Sequence, residues 1–200
     1  MPKASVATFI IAATGLCLLL ASCFAAEGTA DLVKVMSGST VENERRLAAL
    51  HLYDNHIAEV MWTEKPDLLL LQDLVVSATS DSSLKVRAAA LDSLRRTLQD
   101  LTLNSASDVA PEAVAVRNAN REANRKKAAV ICSKHFLAAG RLKELEQMVD
   151  SAANEDLSVQ AKHVLLYLLQ LDDGAVLKGA VDGKVQSEVF VWAKGGPGQN

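Results

Sequence analysis

Aromatic residues are scarce: Phe, Trp and Tyr together make up 4% of the 200 residues. Sandwiches and barrels draw on β-branched and aromatic side chains, so this scarcity argues against them. Apolar residues still reach 50% of the chain, and Leu, Val and Ala carry most of that, which suits packed helices. Only four prolines interrupt the pattern. The formal net charge is -3 with 22% charged residues, so the strong basic excess of a typical nucleic-acid binder is missing. There are three cysteines. Cys17 lies in the N-terminal apolar run, and once Cys23 is removed or lipidated Cys132 has no partner. The fold must then stand without a disulfide, even in an oxidising compartment. No Asn-x-Ser/Thr acceptor for N-glycosylation occurs.

Residues 1–26 have the order of an export signal. Lys3 is followed by an apolar run over Val6 to Leu20, and then by Ala21, Ser22, Cys23, Ala25 and Ala26. Cleavage after Ala25 gives a lumenal or secreted protein. Leu20-Ala21-Ser22-Cys23 also resembles a bacterial lipobox, in which Cys23 is lipidated and the protein sits in the cell envelope. Retention as a membrane anchor is the third reading, because the apolar stretch counted to Ala26 is long enough to span a bilayer. No second stretch of that length follows.

Residues 27–38 read as a linker with room for one helical turn. Ser39-x-x-Glu42 has the form of a capping box, opening a helix to about Met61 with Leu47, Leu50, Ile57 and Met61 on one face. Pro66 suits the first turn of a Leu- and Val-rich helix to about Ala78. Asp81-Ser82-Ser83 breaks and re-caps the chain before a helix over Leu84 to about Leu101. After a polar loop, Pro111 begins a long helix ending at Gly140, a natural left-handed cap. A last pair spans Leu142 to about Ser151 and Leu157 to about Leu171, closed by Asp172-Asp173-Gly174. Residues 39–174 thus form a helical domain and 175–200 a partly disordered extension. Within that extension, Val185 to Trp192 fits a strand or a frayed helix.

The helices repeat. Asp81, Val86 and Arg87, followed by Ala88, Ala89, Leu91 and Leu94, hold a spacing that recurs loosely at Asn154, Val159 and Gln160. Arg45, Arg46, Leu50 and Tyr53 give a third copy, and Asn124, Arg125 and Ala129 a faint fourth. Equivalent positions 45, 86, 124 and 159 stand about 40 residues apart. This pattern resembles HEAT/Armadillo repeats, which implies an all-α, right-handed solenoid of about four helix pairs, each burying its apolar face against the next. Phe136-Leu137-x-x-Gly140-x-Leu142-x-x-Leu145 and Lys162-x-x-Leu165-Leu166-x-Leu168-Leu169 resemble one Armadillo repeat of nucleotide-exchange factors for seventy-kilodalton heat-shock chaperones, including a lumenal type that acts on BiP. That family usually has Gly-Gly where this chain has Gly140-Arg141. The resemblance implies a chaperone ATPase domain as partner and no cofactor.

Side-chain chemistry is sparse. His51 and His56 are five apart, which turns their rings away from each other, and His56 with Glu59 is too small a set for a metal. Cys132 and His135 are within reach on one helix, but among apolar neighbours they read as a structural cysteine beside a histidine. Asp172-Asp173-Gly174 lacks the later ligands of a calcium loop. Arg117, Arg121 and Arg125 fall four apart and are extended by Lys126 and Lys127. They form a stripe that is either a solvated helix face or a docking site for an acidic partner or anionic headgroups. The chain therefore reads as a non-catalytic protein-binding scaffold, with an envelope lipoprotein as the alternative and an enzyme with an unrecognised site third.

Overall fold

The computed structural model describes residues 28–62, 68–102, 111–151, 154–171, 177 and 179–195. The export signal with Cys23, the turn at Pro66 and the Asp172-Asp173-Gly174 sequence lie outside these residues. So does the Gly196 to Asn200 end of the expected disordered tail.

Among the described residues the chain is all-helical, without strands. The helices are α1 Thr29–Gly38, α2 Glu42–Trp62, α3 Leu70–Ser80, α4 Leu84–Thr102, α5 Pro111–Leu137, α6 Arg141–Val149, α7 Glu155–Leu171 and α8 Gly183–Ala193, with a single 3₁₀ turn at Ala138–Gly140. None is long and apolar enough to cross a membrane.

Contacts follow two rows. Helix α2 packs on α4 and α4 on α7, while α1, α3 and α6 touch in sequence behind them. The long α5 breaks the alternation, contacting α2, α3, α4, α6 and α7. Leu91, Leu94 and Leu98 of α4 are fully buried. Their spacing of three and four residues puts them on one face, and each such side chain contributes about 1.5–3 kcal/mol on burial.

Several expectations are corrected. Residues 29–38 are a helix and not a linker, and its Leu32 and Met36 are buried in the main core. Of the two readings of Val185 to Trp192, strand and frayed helix, the helix forms, over residues 183–193, anchored by buried Val185, Val189 and Trp192. Asp182 caps this helix by accepting from the Lys184 amide at 2.7 Å. On α2 the buried face is Ala48, Ala49, Leu52 and His56, with Leu47 and Leu50 only half-buried. The side chains of Ile57, Glu59 and Met61 lie outside the described residues. Two alanines line that face because α4 comes close enough for Ser93 Oγ to donate to the Ala49 carbonyl.

The cap of α2 also differs from a capping box. Ser39 Oγ accepts from the Val41 amide at 3.0 Å and donates to Glu44, not Glu42, at 2.6 Å. The turn before α4 is built the same way, with the Ser83 amide donating to Asp81 Oδ1 at 2.8 Å. In both turns the fourth helical residue reaches back six positions: Arg45 Nη1 donates to the Ser39 carbonyl at 3.0 Å and Arg87 Nε to the Asp81 carbonyl at 2.6 Å. Arg45 therefore matches Arg87 and not Val86, shifting the alignment by one residue. In this register Ala49 and Leu52 correspond to Leu91 and Leu94, and all four are buried.

The two turns are joined. Arg45 forks onto Asp81 with contacts of 2.9 and 3.1 Å, the planar bidentate geometry that favours arginine over lysine. Burial pushes the Asp81 carboxyl up, but the Arg45 fork and the Ser83 amide outweigh it, and its pKa lies below the ordinary value. Arg87 adds an ion pair to Glu144 of α6 at 3.7 Å. Its contacts are structural, to the Asp81 carbonyl and to Glu144.

Candidate functional site: a polar groove across three helices

Stacking α2, α4 and α7 brings their first halves side by side and leaves a groove of about 640 Å³ between them. That volume lies within the range of small-molecule and cofactor sites, about 300–1,000 Å³. Its apolar lining is Leu50 of α2 with Leu84, Ala88 and Ala89 of α4. Small side chains at 88 and 89 let the helices approach without filling the channel.

The walls are polar and cross-linked. Glu42 of α2 and Lys85 of α4 face each other at 3.6 Å. Arg46 donates to Asn43 Oδ1 at 3.1 Å, which holds it along the α2 wall. On the far side Arg95 joins α4 to α7: Nη2 donates to Asp92 at 2.6 Å and Nε to Gln160 Oε1 at 2.7 Å. Gln160 in turn donates to Asp156 at 3.5 Å. The face thus alternates cation, anion and amide. Amides both donate and accept, as a polypeptide backbone does. The arrangement supplies hydrogen bonds and charge complementarity to a polar chain lying across it.

The arginine stripe expected on α5 is not a continuous exposed face. Arg121 is 4% exposed and donates to the Asp100 carbonyl near the end of α4, where a cation meets the negative end of the helix. It lies on the same buried side as Asn124, Ala128 and Cys132. Arg125 is half-buried and paired with Glu122 at 3.0 Å. Lys126 is exposed and also paired with Glu122, at 3.5 Å, and Lys127 is exposed. The Arg117 side chain lies outside the described residues. Spacing brings 117, 121 and 125 to one side of the helix, but α4 covers the middle of it.

The reactive candidates are dispersed. Cys132 is fully buried, and burial pushes its thiol up to about 12. A thiol held there is not a nucleophile at neutral pH. His51 is half-exposed, 3.8 Å from Asp54, whereas His56 is fully buried. Among the described residues no cluster of three metal-ligating side chains forms.

Sequence reasoning passed over Glu42, Asn43, Lys85, Asp92 and Asp156 as groove residues because each reads alone as a helix cap or a solvated position. The nearest signal was the repeat, which places Arg46 and Ala88 at equivalent positions once Arg45 is matched to Arg87. Comparison with protein-family models, with curated proteins and with solved structures finds no match for this chain.

Proposed function

We propose that this chain is a non-catalytic, protein-binding scaffold of the HEAT/Armadillo kind: a short, irregular right-handed solenoid that holds a partner segment in the groove across α2, α4 and α7. Two features support the solenoid. One is the pair of turns at Ser39–Arg45 and Asp81–Arg87, each made by the same hydrogen bonds. The other is the two-row order of helix contacts. The observation that carries the binding reading is the groove itself, a channel of about 640 Å³ lined by apolar residues and by alternating charge and amide.

The export-signal order of residues 1–26 supports a scaffold of the secretory pathway, with a lipid-anchored envelope protein as the alternative. The resemblance over Lys127 to Leu171 points to a partner of the seventy-kilodalton chaperone class, whose nucleotide exchange it would assist.

The test is release of a fluorescent ADP analogue from the lumenal seventy-kilodalton chaperone, followed by stopped flow with the mature chain. The proposal expects acceleration by the parent protein and its loss in Arg46→Glu/Lys85→Glu, with the circular dichroism unchanged. No acceleration by the parent removes the chaperone partner. Equal acceleration by both proteins removes the groove as the contact.

A further inference from the structure

The outer side of α5 carries a line of exposed apolar residues that the fold does not use. Val116 is 60% exposed, Val130 64% and Leu137 40%, and Ala123 between them is exposed as well. These four stand seven residues apart. Seven residues fall about 20° short of two full helical turns, so the line stays on one face and drifts slowly around it. The opposite face holds buried Ala128, Cys132 and Phe136, which fixes α5 in the protein and leaves this side outward. One apolar side chain every two turns is half of a coiled-coil seam; the positions three and four residues on hold Ala119 and Asn120, Lys126 and Lys127, and Ser133 and Lys134, so the line offers a partner helix apolar knobs interleaved with cations. Lys127 and Lys134 stand on this same face, four residues on from Ala123 and Val130, and Lys126 beside them shares Glu122 with Arg125; all three lysines are exposed.

We propose that this face of α5 docks an amphipathic helix of a partner protein, one whose apolar seam is bordered by acidic residues. The site is separate from the groove and does not rest on it. Charge decides against a second copy of the chain. Lys126 and Lys127 lie midway between Val116 and Leu137, so an antiparallel copy sets lysine against lysine at the centre of the contact. A parallel copy in register does the same. Side-chain size decides against a membrane surface. Interfacial helices insert Trp, Phe and Leu, whereas Leu137 alone of this line is of that kind and Val116, Ala123 and Val130 are short and allow a helix backbone to come close. An acidic seam fits both features, because its carboxylates meet the lysines while its apolar side chains cover the valines.

The experiment uses the mature chain and two synthetic peptides. One is a helix-forming peptide with leucines at heptad spacing flanked by glutamates. The other is the same peptide with every glutamate replaced by lysine. Fluorescence anisotropy is expected to show saturable binding of the acidic peptide and binding weaker by roughly tenfold or more for the basic one. Val130→Asp, and separately Lys126→Glu/Lys127→Glu, should each lower the affinity for the acidic peptide by roughly tenfold. Circular dichroism should remain unchanged in both, and Lys85→Glu in the groove should bind as the parent does. No binding, equal binding of the two peptides or an unaffected Val130→Asp overturns the proposal. It is also overturned if sedimentation without peptide shows a dimer that Val130→Asp dissolves. The same holds if the parent floats with phosphatidylserine vesicles and Val130→Asp does not.

Discussion

The turns leading into α2 and α4 and the turn leading into α6 solve one problem in two ways. At Ser39 and Asp81 a side-chain oxygen accepts the amide two residues on, and an arginine six residues on donates back to the carbonyl. At the third turn Arg141 still reaches the carbonyl six residues back, but weakly, at 3.4 Å, and no side chain caps the helix. The reversal is made by backbone alone, with Ala139 at φ 53° and Gly140 at φ 73°, both left-handed. The two polar turns sit where α2 and α4 pack side by side, and the backbone turn sits where the 27-residue α5 ends and the alternation is already broken. A local polar code accompanies the regular stack, and a glycine-dependent kink replaces it where the regularity stops.

The sharpest way to break this comparison is to compare neighbours in α4. Leu91→Ala should cost about 2–5 kcal/mol through lost burial and a residual cavity, because Leu91 of α4 is fully buried in the main core. Asp92→Ala should cost far less, since Asp92 is half-buried and its bonds run to the neighbouring Arg95. Thermal melts of the two variants check the contrast, and equal small effects would show that α4 is not an inner helix of a stack.

Arg121→Ala comes next. The guanidinium is buried against the end of α4, so its removal should destabilise by about 2 kcal/mol, where a solvated arginine would cost no more than about 0.5 kcal/mol. Chemical denaturation separates these outcomes, and a neutral result would return Arg121 to a solvated stripe.

A pH dependence should come from α7 and α8. His163 sits edge-on to Trp192 at 4.7 Å and stacks on Tyr167 at 6.1 Å. Burial lowers its pKa below 6.5, and the Arg95 guanidinium lowers it further. The unfolded chain therefore takes up the proton more readily, and stability present above 6.5 is lost as pH falls toward the folded pKa. Melting temperatures from about pH 7 to about pH 5 should fall more steeply in the parent than in His163→Phe, which keeps the ring contacts. Parallel curves would remove His163 as the cause.

The smallest effect concerns the backbone turn. Ala139→Gly should raise stability by about 1 kcal/mol by relieving a left-handed alanine. The same change at Ser39 or Asp81 should lower it, because those turns depend on the side-chain oxygen.

Much of the helical order was legible in the sequence. Asp81-Ser82-Ser83 marked the α3–α4 boundary because a short acceptor side chain is itself the stop signal, and Val86, Leu91 and Leu94 carried a helical period dense enough to read. Helix α1 was not legible, since it buries only Leu32 and Met36 fully, with Val33 and Val35 partly buried, and their burial depends on α2 being alongside. Helix α8 was left open between a strand and a frayed helix, because Val185, Val189 and Trp192 occupy one helical face within a Val-rich stretch that also suits a strand. The arginine stripe was read with the right geometry and the wrong exposure: spacing gives the face, but only the path of α4 decides that Arg121 is covered. The groove was invisible for a related reason. Lys85, Asp92 and Gln160 are ordinary helix-surface residues until three helices bring them to one channel.

Site-specific photo-crosslinking of the full chain tests the central claim most directly, with a photoreactive side chain placed at Lys85 in the groove or at exposed Lys34 on α1. In cells that export the protein, the account predicts a discrete protein adduct from position 85 that Arg46→Glu abolishes, and none from position 34. Adducts of equal yield from both positions, or none from position 85, would contradict a binding groove across α2, α4 and α7.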